Sequence, residues 1–412
     1  MSEWKEVEMQ DIISEISMGP FGSDVKKEFY TESGVPILNG SNLQGLKLNE
    51  DSFGYVSKEK ANSLKKCIAH RGDLIVTHRG TLGQIVYVPE NSKYDQYLIS
   101  QSQFRFKLKE EAAIPQFIAY YFHTKEGQYK ILSNASQVGV PALARASTTF
   151  RKIIIPLPDL PTQRRIAAIL SSLDAKIENN NKVNAKLEEI AQNLFKEWFV
   201  DFGPFKNGKF VDSELGPIPE GWRVGRIADI AGANRRYVPK HWSYYNYLDT
   251  GNISSNKICS YQRFDNSDDL PSRAKRGVTD CNIIYSTVRP DQRHFGLILS
   301  PIENMVVSTG FAVIEPNYSG YSYYIYSILS QGNTIDLFQS IAEQSTSTYP
   351  SIKTEDILNL QILIPADSIL TQYAKISSSF YSKIEENNQE NQRLATLRDT
   401  LLPKLMSGEI DV

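Results

Sequence analysis

The feature that most restricts the fold is a long amphipathic segment, DLPTQRRIAAILSSLDAKIENNNKVNAKLEEIAQNLFKEWFVD, running from Asp159 to about Asp201. Ile166, Leu170, Leu173, Ile177, Asn180, Asn184, Leu187, Ala191, Leu194 and Trp198 recur at alternating steps of four and three, the a/d seam of a coiled coil. Such a seam needs a partner helix, because most helical stability in water comes from packing an apolar face. The segment YAKISSSFYSKIEENNQENQRLATLRDTLLPKLMSGEI supplies one, with Phe380, Ile384, Asn387, Asn391, Leu394, Leu401 and Leu405 in the same pattern. A constant offset lays Lys176-Ile177-Glu178 on Lys383-Ile384-Glu385, Asn180 on Asn387 and Asn184 on Asn391, so the two segments read as copies. An asparagine in a seam lowers stability and favours the alignment in which it meets a polar partner. Asn180, Asn184, Asn387 and Asn391 are therefore candidate register markers for the helix pair, a solvated gap being the plainer alternative.

The duplication extends beyond the helices. WRVGRIADI repeats WKEVEMQDI, laying Trp222 on Trp4 and Asp229 on Asp11; NYLDTGNI echoes VPILNGSNL and CNIIYSTVRP echoes GDLIVTHRG. VVSTGFAVIEP matches LISQSQFRFKL through Ser308 and Ser100, Pro350 matches Pro141, and ILIP repeats IIIP just before the second helix. A period of about half the chain is too long for a solenoid and indicates a doubled domain-plus-helix unit. The fold class is α+β: two similar globular domains joined by two long antiparallel coiled-coil helices, a pseudo-twofold internal repeat. The expected boundaries are a first domain at 1–157, a first helix at 158–203, a connector at 204–220, a second domain at 221–365 and a second helix at 366–412.

Within the first domain, apolar runs at Leu74 to Val76 and Ile85 to Val88, joined through His78-Arg79-Gly80, predict two strands; alternation at Phe104, Phe106 and Leu108 predicts another. PQFIAYYFHTKEGQYKIL predicts one helix, Asp159 and Ser368 predict the N-caps of the long helices, and Pro403 predicts an end or kink. Antiparallel pairing would set one globular domain near each end of a rod. A helix of about 37 residues spans roughly 55 Å, enough to hold two binding faces about one to one and a half DNA turns apart. The layout suggests a bipartite target.

Composition narrows the partners. The 412 residues carry a net charge of -2, which argues against coating nucleic acid through bulk positive charge, so any such contact must be local. Three dispersed cysteines, Cys67, Cys259 and Cys281, indicate neither a zinc knuckle nor a disulfide framework. MSEWKEVEMQ lacks the apolar core of a signal peptide and no apolar run reaches the length of a membrane span, so a cytoplasmic protein with no membrane association is expected.

Catalytic motifs are missing: no GxGxxG after a strand, no GxxxxGK[ST], no HExxH and no GxSxG. The five histidines, His70, His78, His123, His241 and His294, are not grouped at metal-ligand spacing, and Pro290-Asp291 lacks the nearby acidic-x-Lys of a metal-dependent nuclease. A non-enzyme without metal or cofactor is the expectation. Polar, basic and aromatic loop residues remain, differing between the halves where the framework strands agree. In the first half they are Lys26, Lys27, Asn39, Ser41, Asn42, Thr77, His78, Arg79 and Gln137. In the second they are Arg235, Arg236, Tyr237, Lys240, Arg273, Lys275, Arg276, Arg289, Arg293 and His294. Arg can donate two hydrogen bonds to guanine, Asn and Gln can bridge adenine, and Lys can hold phosphate, so these loops could read a major groove. Taken singly, a surface Arg or Lys is more often merely solvated, and Asn39 or Asn42 a turn residue. Trp198 and Phe199 are expected in the core.

The chain resembles the DNA-specificity subunit of type I restriction-modification systems along essentially its whole length. The resemblance is carried by GPFGSDVKKEFYTESGVPIL, by IIIPLPDLPTQRRIAAILSSLDAKIE with NLFKEWFVDFGPF, and by LRDTLLPKLMSGEI, in duplicate order. It implies two target-recognition domains, each reading one half of a split site in double-stranded DNA, and two helices that act as spacer and as dock for two methyltransferase subunits. It also implies that the chain binds no S-adenosylmethionine: methylation belongs to those partners and ATP-driven cleavage to restriction subunits. The second copy departs from the first, with DSILTQYAKI in place of DLPTQRRI and two residues fewer before Lys383, which leaves the symmetry of the two docks open. A coiled-coil assembly adaptor that does not read DNA is the alternative. Without partners, exposed seams could also pair with another copy of the chain.

Overall fold

The computed structural model describes residues 4–136, 140–345 and 349–412. The chain forms two compact units, Met1–Ile177 with Gln392–Val412, and Glu178–Asn391, so the division falls inside both long helices.

The first unit is built in layers on an antiparallel sheet ordered Ile13–Met18, Gln103–Leu108, Leu74–Thr77, Ile85–Tyr87. One face of this sheet carries Leu74, Val76, Phe104 and Phe106 against helices Pro115–His123 and Ala146–Arg151 and against Ile166, Leu170, Leu405 and Met406 of the long helices. The other face carries Ile75 and Val86 against a second sheet ordered Tyr30–Thr31, Gly54–Val56, Val35–Ile37, Tyr97–Leu98, Ile68–Ala69. Burial on both faces explains why Leu74–Thr77 reads as a continuous apolar run and not as an alternation. Lys5–Glu8 pairs antiparallel with Ile154–Leu157 and closes the unit beside the first long helix.

The second unit repeats this plan. Its central sheet is ordered Ala231–Ala233, Phe311–Pro316, Asn282–Ser286, Phe295–Ile298, and Arg223–Arg226 pairs with Gln361–Ile364 as Lys5–Glu8 does with Ile154–Leu157. Its second sheet runs Gln262–Phe264, Tyr245–Leu248, Met305–Ser308, Ala274–Gly277, with the middle pair parallel, as Val35–Ile37 and Tyr97–Leu98 are in the first unit. Ile283, Tyr285, Phe295 and Ile314 face helix Tyr321–Leu329 and the long helices, whereas Ile284, Ile298 and Val313 face Leu248, Met305 and Val307.

The long helices are Leu160–Phe199 and Asp367–Met406. They run antiparallel in each unit: Arg165 reaches the Val412 carbonyl and Asp174 meets Arg398 in the first, whereas Asn180 meets Asn391 and Asn184 meets Asn387 in the second. Asp159 caps the first helix, its Oδ1 accepting from Thr162 N at 2.9 Å. Phe199 is core and Trp198 half-buried against Phe205 and Tyr373.

Three local expectations are corrected. Pro403 does not end the second helix, which runs on to Met406; burial of Leu405 and Met406 in the first unit's core outweighs the one missing backbone bond so close to the helix end. Ser368 is not a cap, because the helix already includes Asp367, whose Oδ1 accepts from Tyr321 Oη at 2.7 Å. PQFIAYYFHTKEGQYKIL forms two helices, Pro115–His123 and Lys125–Leu132, because Thr124 caps the second: its Oγ1 donates to Tyr121 O at 2.7 Å and accepts from Gly127 N at 3.0 Å.

Candidate nucleic-acid interface

In the first unit the turn His78–Gly80 leaves the central strand Leu74–Thr77 and is pinned on both sides. His78 N donates to Ser102 O, Leu143 N to His78 O and Gly80 N to Pro141 O, each at 2.9 Å, while Arg79 bridges Ala142. Buried Thr77 donates to Gln84 Oε1 at 2.9 Å, and Gln84 Nε2 donates to Gly40 O at 3.1 Å, which joins this turn to Gly40–Leu43. Asn39 caps that second turn, accepting from Ser41 N at 2.8 Å and Ser41 Oγ at 2.6 Å. Asn42 is 2% exposed and is spent on the loop: it accepts from Asn39 N at 2.9 Å and donates to the Asn49 and Ser52 carbonyls, both at 3.0 Å. Its contribution is the shape of the turn.

His78 Nε2 lies 3.2 Å from Gln101 O, and burial pushes the imidazole pKa below its ordinary value, so at neutral pH the ring is an uncharged brace and offers no cation to phosphate. Ser41 and Arg79 are exposed on the same cluster of turns. Lys26 and Lys27 lie on a separate turn, Lys27–Phe29, whose Phe29 ring sits 4.1 Å from Lys60 Nζ; Lys26 also approaches Glu28 at 3.8 Å. Gln137 lies outside the described residues. Gln84, Gln101 and exposed Arg145, which follows the Ala142–Leu143 strand, belong to this loop cluster although no spacing pattern marks them in the sequence.

The second unit reproduces the pinned turn bond for bond. Thr287 N donates to Gly310 O at 2.8 Å, Ile352 N to Thr287 O at 2.9 Å and Arg289 N to Pro350 O at 3.0 Å, while Val288 bridges Ser351. By this correspondence Val288 takes the place of Arg79, and Arg289 that of Gly80. The Arg289 guanidinium lies 5.3 Å from the centre of the Tyr349 ring. Arg273 borders the same turns, its carbonyl accepting from Thr309 N at 2.7 Å, next to Gly310 and Thr250.

A second group gathers at the edge strand Ala274–Gly277. Exposed Tyr237 bridges Arg276 and, with Lys240 and Lys275, lines a cavity of about 430 Å³. Burial lowers the Arg276 pKa, and its Nη1 is buried without a hydrogen-bond partner among the described residues. Arg235 and Arg236 are partly committed to internal charge: Arg235 N donates to Glu315 Oε1 at 2.5 Å, Arg235 Nη2 to Asn317 Oδ1 at 3.2 Å, and Arg236 Nε lies 3.6 Å from buried Glu315. His294 is held between Ile253 O and Gln292 Oε1. Arg293, at the far end of the short turn that Arg289 opens, lines a cavity of about 320 Å³ with Glu188 of the long helix and Tyr326. Among the described residues, no three His, Cys, Asp or Glu side chains gather where a metal could be held, and no helix is long and apolar enough to cross a membrane.

Two like units, each presenting a pinned and partly basic turn from a layered sheet and sharing a pair of antiparallel helices, define a duplicated recognition protein. The family model for the type I restriction modification DNA specificity domain matches residues 1–189 and again 219–396, so the chain belongs to this family. It is 26% identical to the MjaIX specificity subunit of Methanocaldococcus jannaschii, spanning 100% of this chain and 94% of that one. It is 24% identical to the HindI specificity subunit of Haemophilus influenzae, over 100% of both. The fold matches the crystal structure of a type I restriction-modification S subunit from M. genitalium with a TM-score of 0.60 at 15% identity, over 98% of this chain and 96% of that one. The chain is thus a type I specificity subunit: it reads DNA target sites and is non-catalytic.

Proposed function

We propose that each unit reads one half of a bipartite site in double-stranded DNA, and that the paired helices fix the separation of the halves. The observation that carries this reading is the recurrence of one pinned turn: His78–Gly80 held by the strand after Pro141, and Thr287–Arg289 held by the bridging segment after Pro350. The framework bonds recur while the side chains presented differ, which is what two readers of different sequences require. In the first unit the contacts fall to Ser41, Arg79 and their neighbours, with Lys26 and Lys27 toward phosphate. In the second they fall to Arg273 and Arg289 on one patch and to Tyr237, Lys240, Lys275 and Arg276 on the other.

The same reading gives the helices a second task, docking two methyltransferase subunits, with restriction subunits joining that assembly in the prokaryotic cytoplasm. The chain itself needs no cofactor. A gel-shift with the chain and its methyltransferase partner should show salt-sensitive binding that depends on sequence in two separated blocks. Binding indifferent to sequence at every salt concentration would reduce the chain to an assembly adaptor.

A further inference from the structure

Arg289 stands in a conformation that its counterpart reaches without strain. Gly80 has φ +88° and donates its N–H to Pro141 O; Arg289 has φ +49° and donates its N–H to Pro350 O. Glycine enters the left-handed region freely, whereas a side chain bearing a Cβ rarely does. The second unit therefore places an arginine where the first shows that glycine serves the same turn. The backbone gains nothing from that exchange, so the reason lies in the side chain. Arg293, four residues on, is also left-handed at φ +56°, and the two bracket the short turn Pro290–Gln292.

The surroundings of the side chain suit one task. Its guanidinium lies 5.3 Å from the centre of the Tyr349 ring, within the range of cation–π attraction. Stacking of this kind restricts the rotamers of a long side chain while leaving the N–H fork free in its own plane. Among the described residues the Arg289 guanidinium has no hydrogen bond or ion pair, and the residue is exposed. A planar, pre-oriented fork on a rigidly pinned turn matches the O6 and N7 acceptors of guanine in the major groove. Lys240 and Lys275, as mobile point charges, match phosphate instead.

We propose that Arg289, steadied by Tyr349, is a guanine-reading side chain of the second unit, donating two hydrogen bonds to one guanine of the half-site that this unit reads. Resting as it does on the bipartite reading above, the assignment also implies that the two units present arginine one residue apart, at Arg79 in the first and at the Gly80 position in the second.

The test uses the chain with its methyltransferase partner, first mapping the wild-type site and then measuring binding to DNAs varied at every base pair over a range of salt. Wild type should require G·C at one position of the half-site read by the second unit. Arg289→Gly should relax that requirement by roughly 5- to 150-fold, leave the other half-site unchanged and keep the salt slope. It should melt no lower than wild type, because it installs the residue the turn accepts without strain. Tyr349→Ala should give a smaller loss at the same position, roughly two- to fivefold. Uniform weakening over all sequences with a slope reduced by about one would make Arg289 a phosphate contact and overturn the proposal. So would unchanged discrimination, or a second half-site with no guanine requirement. A wild-type complex lacking a two-block site would instead sink the bipartite reading itself.

Discussion

Glu188 is a carboxylate whose ionisation is altered by its setting. It sits on the first long helix beneath the second unit's sheet layer, accepts from Tyr326 Oη at 3.1 Å, and has Gln192 and Tyr381 beside it. Burial raises its pKa above the ordinary 4.5, and the hydrogen bonds only partly oppose this. A pKa raised in the folded state favours the protonated form there, so the linked stability is complete below about 4.5 and is lost as pH rises through the shifted value. Glu188→Gln keeps an acceptor for Tyr326 and cannot ionise. It should be more stable than wild type at about pH 7.5 and lose that advantage at about pH 4, as measured by urea unfolding at both. An equal difference at the two pH values would contradict this. The first unit meets its helix differently: Asp174 accepts from Tyr120 Oη at 2.6 Å and pairs with Arg398 of the other long helix at 2.7 Å, so the carboxylate there is half-buried and charge-paired.

The helix pair is joined by a crossed set of amides. Asn180 Nδ2 donates to Asn391 Oδ1 at 2.9 Å and, in the repeat-related bond, Asn387 Nδ2 donates to Asn184 Oδ1 at 2.7 Å. Asn184 likewise donates to Asn388 and Asn391 to Asn181, at 2.9 and 3.1 Å. Every seam asparagine thus has a polar partner on the other helix, and a slip by one heptad would set Asn184, Asn387 and Asn391 against apolar residues, Phe380, Ile177 and Leu173 in one direction or Leu394, Ala191 and Leu187 in the other. A double-mutant cycle of Asn184→Ala and Asn387→Ala should give a favourable coupling of about 0.5–3 kcal/mol; a coupling near zero would deny the pair any role in alignment. This element is legible in the sequence because a heptad is local and repeats, and the doubled strands are legible for the same reason. What the sequence hides depends on tertiary packing. Pro403 stays helical because of what Leu405 and Met406 bury, and Asn42 looks like a surface turn residue until two carbonyls close on its amide. Arg398 interrupts the seam pattern and makes sense only beside Asp174. Tyr349 is marked as a candidate only by the Arg289 guanidinium lying over its ring.

The whole molecule is a duplication: one framework used twice with different side chains on its turns, and one helix pair common to both units. On the proposed bipartite reading, Arg79 and Arg289 would belong to different halves of the target, and the spacing between halves would be a property of the helices and not of the loops. A continuous DNA site would need neither the second unit nor a fixed register of the helix pair. The most direct test is to express this chain with its methyltransferase partner in a host free of other DNA methylation and to map every modified base. The expected result is one motif of two short specified blocks separated by an unspecified spacer of constant length. A single continuous motif, or two blocks at variable separation, would contradict a bipartite reader with a fixed helical spacer.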